Sequence, residues 1–185
     1  MRIAIDIDDT ITNTWKSIIP VACEYFNIDE KTLKNNGKAY NEAIGCTLDE
    51  WYTFARKKFE SIVPYLEIKE NVVNIINRLK EDGHEIIILT ARGSDDYENP
   101  YQISYNYLTN KGILFDKLIV NGHDKGEICK KEKVDLLIDD SIRKCKGAKS
   151  CGIDTLLFDA LHNKECNDFK RVYNWNEVYE YIKNK

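Results

Sequence analysis

Met1-Arg2-Ile3-Ala4-Ile5-Asp6-Ile7-Asp8-Asp9-Thr10 is a short apolar run that stops abruptly in three acids and a hydroxyl. Three other segments have the same form: Ile86 to Leu89 closes on Thr90, Leu118 to Val120 leads to Lys125, and Leu136 to Ile138 closes on Asp139-Asp140-Ser141. Apolar runs of this length bounded by turn-type residues read as buried strands. Paired as parallel neighbours, they bring their C-terminal ends to one sheet edge, where open α/β sheets bind ligands. The acids, the threonine and the lysine then converge.

From Glu70 onward a unit recurs: a helical stripe, a glycine, then a strand. Val72, Val73, Ile75, Ile76 and Leu79 share a helical face before Gly83 and the strand 85–89. Tyr101, Tyr105 and Leu108 do so before Gly112 and a strand around 117–120, and the segment 141–150 reaches Gly152 and a strand 153–158. Glycine just past a helix accepts the left-handed conformation that stops it. The alternation predicts right-handed crossovers and an α/β fold of three layers, with a parallel sheet covered on both faces. The tail 171–185 reads as a short strand and a closing helix with Trp175, Val178 and Ile182 inward.

Between Thr10 and Glu70 the pattern changes to helix with little strand signal. Trp15, Ile18, Ile19, Ala22 and Phe26 form a stripe with a kink expected at Pro20, and Thr47-Leu48-Asp49-Glu50 is a capping box opening a second helix. The predicted division is a core of residues 1–12 and 68–185 and a helical insertion of residues 13–67.

Two carboxylates about 4 Å apart repel by roughly 4 kcal/mol at an effective dielectric of 20, so a bare cluster drawn from Asp6, Asp8, Asp139 and Asp140 is strained. A divalent cation relieves this more completely than protonation. All the candidate ligands are hard oxygens, with no His or Cys at these strand ends, which favours Mg²⁺ over zinc.

With these residues in view, the chain resembles the haloacid dehalogenase (HAD) superfamily. Asp6-Ile7-Asp8-Asp9-Thr10 is similar to its first motif, and Thr90, Lys125 and Asp139-Asp140 to its second, third and fourth, in order. Leu89-Thr90-Ala91-Arg92 and Asp135 to Ser141 look most like the 5'(3')-deoxyribonucleotidase-like branch and its bacterial relatives. The resemblance implies a Rossmann-like core with a small helical cap over the site. It also implies phosphomonoester hydrolysis through an aspartyl-phosphate, with a nucleoside monophosphate as substrate and Mg²⁺ as cofactor.

Carried over residue by residue, the resemblance makes Asp6 the nucleophile. Asp8 becomes the general acid and base, its backbone carbonyl holding the metal. Thr90 and Lys125 bind the phosphoryl group, although Lys130, Lys131 and Lys133 lie close to the third motif. Asp6, Asp8 and Asp139 form the metal set, with Asp9 and Asp140 behind it. Ser141 is equally consistent with a helix cap. Arg92 is expected either to steady the substrate or to form an exposed ion pair, and His123 to stand at the pocket edge. Among the cap aromatics, Trp15 and Tyr40 are the candidates to stack on a base. A phosphatase of sugar phosphates is the rival within enzymes, and a non-catalytic phospho-ligand module the rival outside them.

Composition limits the alternatives. The 185 residues are 43% hydrophobic and 31% charged with a net charge of −4 and no long basic block, which gives no footprint for duplex nucleic acid. No apolar run approaches the length of a membrane span, and the run before Asp6 is too short for a signal peptide, so a cytoplasmic location is expected. The six cysteines include no Cys-x-x-Cys pair and read as reduced thiols rather than a zinc site. A homodimer is left open.

Overall fold

The computed structural model describes residues 1–33 and 40–185. Its centre is a six-stranded sheet in the order β3-β2-β1-β4-β5-β6. The strands are β1 (Arg2–Ile5), β2 (Glu85–Leu89), β3 (Lys117–Ile119), β4 (Leu136–Asp139), β5 (Asp154–Phe158) and β6 (Lys170–Val172). Every pairing is parallel. The chain starts in the middle and winds outward in both directions, so β1 lies between β2 and β4 with Ile5 in register with Ile88 and Ile138.

Strand side chains alternate between faces, and each face has its own partners. Ile3, Ile5, Ile86, Ile88, Leu136 and Ile138 join the large cluster that includes α4 (Val72–Glu81), α5 (Pro100–Asn110) and α8 (Trp175–Lys183). Ala4, Ile87, Leu89 and Leu137 face the other way, onto Cys129 of α6 (Lys125–Lys131) and Ala148 of α7 (Ile142–Ser150). Beyond the half-buried Arg2 and Glu85 that open β1 and β2, both faces of β1, β2 and β4 are buried, which is why these strands read as unbroken apolar runs rather than alternating ones. Gly83, Gly112 and Gly152 have φ of +85°, +76° and +80° at the ends of α4, α5 and α7, the left-handed stops that the sequence called for.

After β1 the chain passes through Ile11, Thr12 and Asn13 and enters α1 (Thr14–Phe26), α2 (Tyr40–Ile44) and α3 (Leu48–Ile62). Thr12 bridges Ile68 in antiparallel fashion, so the segment leaves and returns side by side. Asn13 N–H donates to the Glu67 carbonyl and Lys69 N–H to the Ile11 carbonyl, each at 2.8 Å. α1 continues through Pro20, whose ring lies on the exposed side. The capping box at Thr47 is complete: Thr47 Oγ1 accepts from Glu50 N–H and the Glu50 carboxylate accepts from Thr47 N–H. Trp51, Phe54 and Phe59 of α3 turn inward and pack on one another with ring centroids 5.2 to 5.8 Å apart, a small aromatic core for the insertion. All six cysteines are free thiols.

Candidate active site

The C-terminal ends of β1, β2 and β4 open onto a cavity of about 490 Å³. Asp6, Asp8, Thr90, Lys125, Asp139 and Asp140 all line it. Each is delivered by a strand end or a helix start. Asp6 extends β1 by one more ladder bond, its N–H donating to the Ile138 carbonyl at 3.0 Å, and Thr90 extends β2 in the same way toward Ile119. Lys125 is the first residue of α6, whose N-cap Asp124 accepts the Glu127 N–H at 3.1 Å.

Two glycines let the loop carrying Lys125 press down onto the sheet. A Cβ at Gly122 would sit 2.8 Å from the Thr90 carbonyl oxygen, and one at Gly126 would sit 2.6 Å from the Gly147 carbonyl oxygen on α7. Backbone in such contact cannot yield cheaply. Gly126→Ala is therefore expected to push α6 from α7, costing about 1 to 3 kcal/mol and displacing Lys125. Thermal melts and activity of the same sample check this, and an Ala variant with wild-type Tm and turnover would contradict it.

Lys125 is the hub of the site. The residue is 2% exposed, and its ammonium donates to the Asp6 carboxylate and to Asp139 Oδ2, the latter at 2.6 Å. Burial by itself would strip its proton, but the charges of Asp139 and Asp6 outweigh burial and hold it protonated. Asp139 Oδ1 takes the Ser141 N–H at 2.8 Å. Thr90 Oγ1 accepts the Arg92 N–H at 3.2 Å, which leaves the hydroxyl hydrogen free to donate toward the cavity.

The two acids of the first turn have opposite environments. Burial drives the Asp6 carboxyl well above the usual carboxylate range, opposed by Lys125 and reinforced by Asp139, Asp140 and Asp8. Burial acts on Asp8 too, but there the Arg92 guanidinium wins and holds the carboxyl below its usual range. Arg92 Nε reaches Asp8 Oδ2 at 2.9 Å and Nη2 reaches Oδ1 at 2.7 Å, with Thr14 Oγ1 adding a third bond at 2.8 Å. Asp9, between the acids and Thr10, has φ of +56°, a conformation Asp tolerates better than most residues. The turn sends its carboxylate toward the helical insertion, where it accepts the Trp15 N–H at 3.0 Å and the Tyr40 hydroxyl. Burial and the nearby Asp140 raise Asp9 to about 6.

Carboxylate oxygens of Asp6, Asp139 and Asp140 come within 4.8 Å of one another. Three buried acids face one lysine, and every donor is a hard oxygen, so the set fits a small divalent cation such as Mg²⁺. Asp140, expected in the outer layer, offers its carboxylate to this cluster while also accepting from Thr10 Oγ1 at 3.3 Å. Asp8 stands outside it, its carboxylate turned to Arg92.

The structure separates the other candidates. Tyr40 lines the cavity, with its ring 4.9 Å from Trp15 and 5.6 Å from Trp51. Trp15 lines a smaller adjoining hollow of about 210 Å³ instead. Arg92 is buried rather than exposed, and His123 borders a different depression beside α6. Three residues enter that the motifs did not mark. His162, in the turn after β5, contacts Asp140 Oδ2 through Nε2 at 2.8 Å, and this bond outweighs burial to raise the imidazole pKa. Arg143 and Lys144, in the first turn of α7, line the same cavity. The Lys144 ammonium donates to the His123 carbonyl and so anchors the loop ahead of Lys125. Burial, then the charges of Arg143 and Lys125, lower Lys144 to about 8.

The model of the family described as 5' nucleotidase, deoxy (pyrimidine), cytosolic type C protein matches residues 1–185. The chain belongs to this family. Solved structures show the same HAD fold at low identity. One described as a predicted phosphatase from Clostridium acetobutylicum is 12% identical with a TM-score of 0.73, covering 100% of this chain and 98% of that one. A HAD phosphatase from Thermococcus onnurineus is 18% identical with a TM-score of 0.63 over 98% and 97%. A HAD-superfamily hydrolase from Ehrlichia chaffeensis is 13% identical with a TM-score of 0.61 over 99% and 96%. No curated protein sequence matches the chain. Membership makes the protein a phosphatase of the HAD type. No described helix is long and apolar enough to cross a membrane.

Proposed function

We propose that the protein is a Mg²⁺-dependent 5'-nucleotidase that hydrolyses (deoxy)nucleoside monophosphates through an aspartyl-phosphate on Asp6. The observation that carries this is the convergence of Asp6, Asp8, Thr90, Lys125 and Asp139 on one cavity at the sheet edge of a nucleotidase-family chain. Asp6 is the nucleophile. Thr90 and Lys125 bind the phosphoryl oxygens, and Lys125, already shared between Asp6 and Asp139, follows the charge as it moves from carboxylate to phosphoryl group. Asp8 gives a proton to the leaving oxygen and takes one from the attacking water. Asp6, Asp139 and Asp140 or the Asp8 carbonyl would hold the Mg²⁺, which when bound neutralises acid and phosphate charge.

The helical insertion of residues 13–67 acts as the cap and chooses the leaving group. A cavity of about 490 Å³ is within the range for a small-molecule site and accommodates a nucleoside monophosphate. Tyr40 is its aromatic wall. Stacking on a base is worth about 1 to 3 kcal/mol, so Tyr40→Ala is expected to lower kcat/KM for the best nucleotide roughly 5- to 150-fold. A small generic phosphate ester should lose far less, and equal losses on both would show that Tyr40 serves only to hold the cap through Asp9 and the two tryptophans.

Turnover of a panel of deoxynucleotides, ribonucleotides and sugar phosphates tests the proposal, run with Mg²⁺ and again after chelation. The expected result is preference for nucleoside monophosphates, loss of activity on chelation and recovery with Mg²⁺. At a concentration of 100 times its Kd, Mg²⁺ should also stabilise the fold by about 2.7 kcal/mol. Preference for a sugar phosphate would move the substrate class and leave the chemistry, while full activity in metal-stripped protein would overturn the metal assignment.

A further inference from the structure

Four acids line the catalytic cavity, and each has a basic partner: Arg92 for Asp8, Lys125 for Asp6 and Asp139, His162 for Asp140. Two further basic side chains line the same cavity without an acid of their own. Arg143 is exposed and forms no ion pair or hydrogen bond among the described residues. Lys144 is only 8% exposed, yet its ammonium donates to the His123 carbonyl, with the Gly122 carbonyl 3.5 Å away, and meets no carboxylate among the described residues. A buried ammonium without a counter-ion is costly. Here the charges of Arg143 and Lys125 add repulsion to burial. An anion relieves this pair as a cation relieves the acids.

Arg143 and Lys144 also line a second hollow of about 360 Å³, walled by residues at the starts of α6 and α7. Lys125 belongs to both linings, so the two spaces adjoin. Asp6, Thr90 and Asp139 are absent from the lining of the second hollow, so an anion held there is not the one that Asp6 attacks. Among the described residues its one acid is Asp124, whose carboxylate is occupied in capping α6. Part of its wall is bare backbone, since a Cβ at Gly147 would meet nothing within 4 Å.

We infer that Arg143 and Lys144 form an anion subsite beside the catalytic cavity that takes a second phosphate of the substrate. The inference rests on the proposed nucleotidase reaction and narrows its substrate class to nucleotides with a further phosphate on the sugar, such as a nucleoside 3',5'-bisphosphate. Arg143 offers a planar fork for two phosphate oxygens, and Lys144 a point charge fixed by the loop carbonyls. A phosphate between them supplies the counter-charge that neither has in the protein. The reaction itself is unchanged: the oxygen of water ends on the phosphorus in the main cavity, the ester bond there breaks, and the leaving oxygen departs with a proton. The balance is bisphosphate plus water to monophosphate plus phosphate. Arg143 and Lys144 hold the phosphate that stays on the product, so they set specificity rather than chemistry.

A deoxynucleoside 3',5'-bisphosphate and the 5'-monophosphate of the same deoxynucleoside differ only in the group assigned to the subsite. With Mg²⁺ present and inorganic phosphate release as the readout, wild-type kcat/KM is expected to be about tenfold or more higher for the bisphosphate, the scale of one hydrogen bond between charged groups. In Arg143→Gln, at an exposed position without internal partners, that advantage should shrink to less than about threefold, and Arg143→Lys should keep part of it. Gly147→Leu, which fills the hollow and removes no charge, should lower kcat/KM for the bisphosphate more than for the monophosphate. Added salt should shrink the wild-type advantage, since Arg143 is exposed to screening. Equal kcat/KM for the two esters in wild type, or an advantage that survives both Arg143→Gln and Gly147→Leu, would overturn the subsite and leave the phosphatase intact. Inhibition of monophosphate turnover by inorganic phosphate that depends on Arg143, without a bisphosphate advantage, would assign the hollow to free phosphate and overturn the second-phosphate role. Wild-type protein that turns over neither ester would overturn the nucleotidase reading on which the subsite rests.

Discussion

Asp6→Asn is expected to reduce phosphatase turnover to background while leaving the protein at least as stable as wild type without metal. The two halves of that result have one cause. Asp6 is buried beside Asp139 and Asp140, and its carboxyl is pushed well above the usual range by burial and by those neighbours. Taking away its charge relieves repulsion, and Lys125 retains Asp139 as a partner at 2.6 Å. The neutral amide keeps the shape of the site and cannot displace an alcohol from phosphorus. Steady-state assay and thermal melting of the same preparation decide the matter. Residual activity within about tenfold of wild type would correspond to only about 1.4 kcal/mol of barrier, too little for a lost nucleophile.

Lys125→Met should damage both properties. The ammonium is the only cation in direct contact with Asp6 and Asp139 among the described residues, and all three side chains are at most 8% exposed. Removing one partner of a buried ion pair typically costs about 3 to 5 kcal/mol because the remaining charge is left uncompensated. That is on the order of 6 to 20 °C in Tm for a chain of this length. Activity should fall about 10²- to 10³-fold or more, the scale for loss of one electrostatic contact to a transition state. Melts taken with and without Mg²⁺ check the account, since a cation among the acids should recover part of the stability and little of the turnover. A metal-free Met variant melting at the wild-type temperature would show that the acids do not depend on Lys125.

The contrast between these residues and Arg92 shows what the sequence could convey. Asp6, Thr90 and Asp139 each follow an apolar run, and Lys125 opens a helix behind Gly122-His123-Asp124. A parallel sheet sends all such positions to one edge, so their convergence needed only the order of elements. Asp8 and Arg92 are 84 positions apart, and their bond depends on side-chain directions that no periodicity carries. Arg92 also sits among polar residues in a loop, where a buried arginine and an exposed one look alike. Lys144 was hidden in the basic stretch Arg143 to Lys149, which reads as a solvated helix face until α7 is packed beside α6. His162 had one available signal, its place just after β5, whose end meets the same edge. Trp15 belongs to the inward stripe of α1, but a helical stripe does not say which of two adjoining hollows a ring will border.

The measurement that bears most directly on the central claim is peptide mapping of the protein quenched in acid during turnover of its best phosphate ester. The proposed mechanism predicts a phosphoryl group on the peptide spanning Asp6, stable in acid, released by hydroxylamine and absent from Asp6→Asn. Steady hydrolysis with no phosphorylated Asp6 under conditions where formation outpaces breakdown, or a phosphoryl group on any other residue, would contradict it.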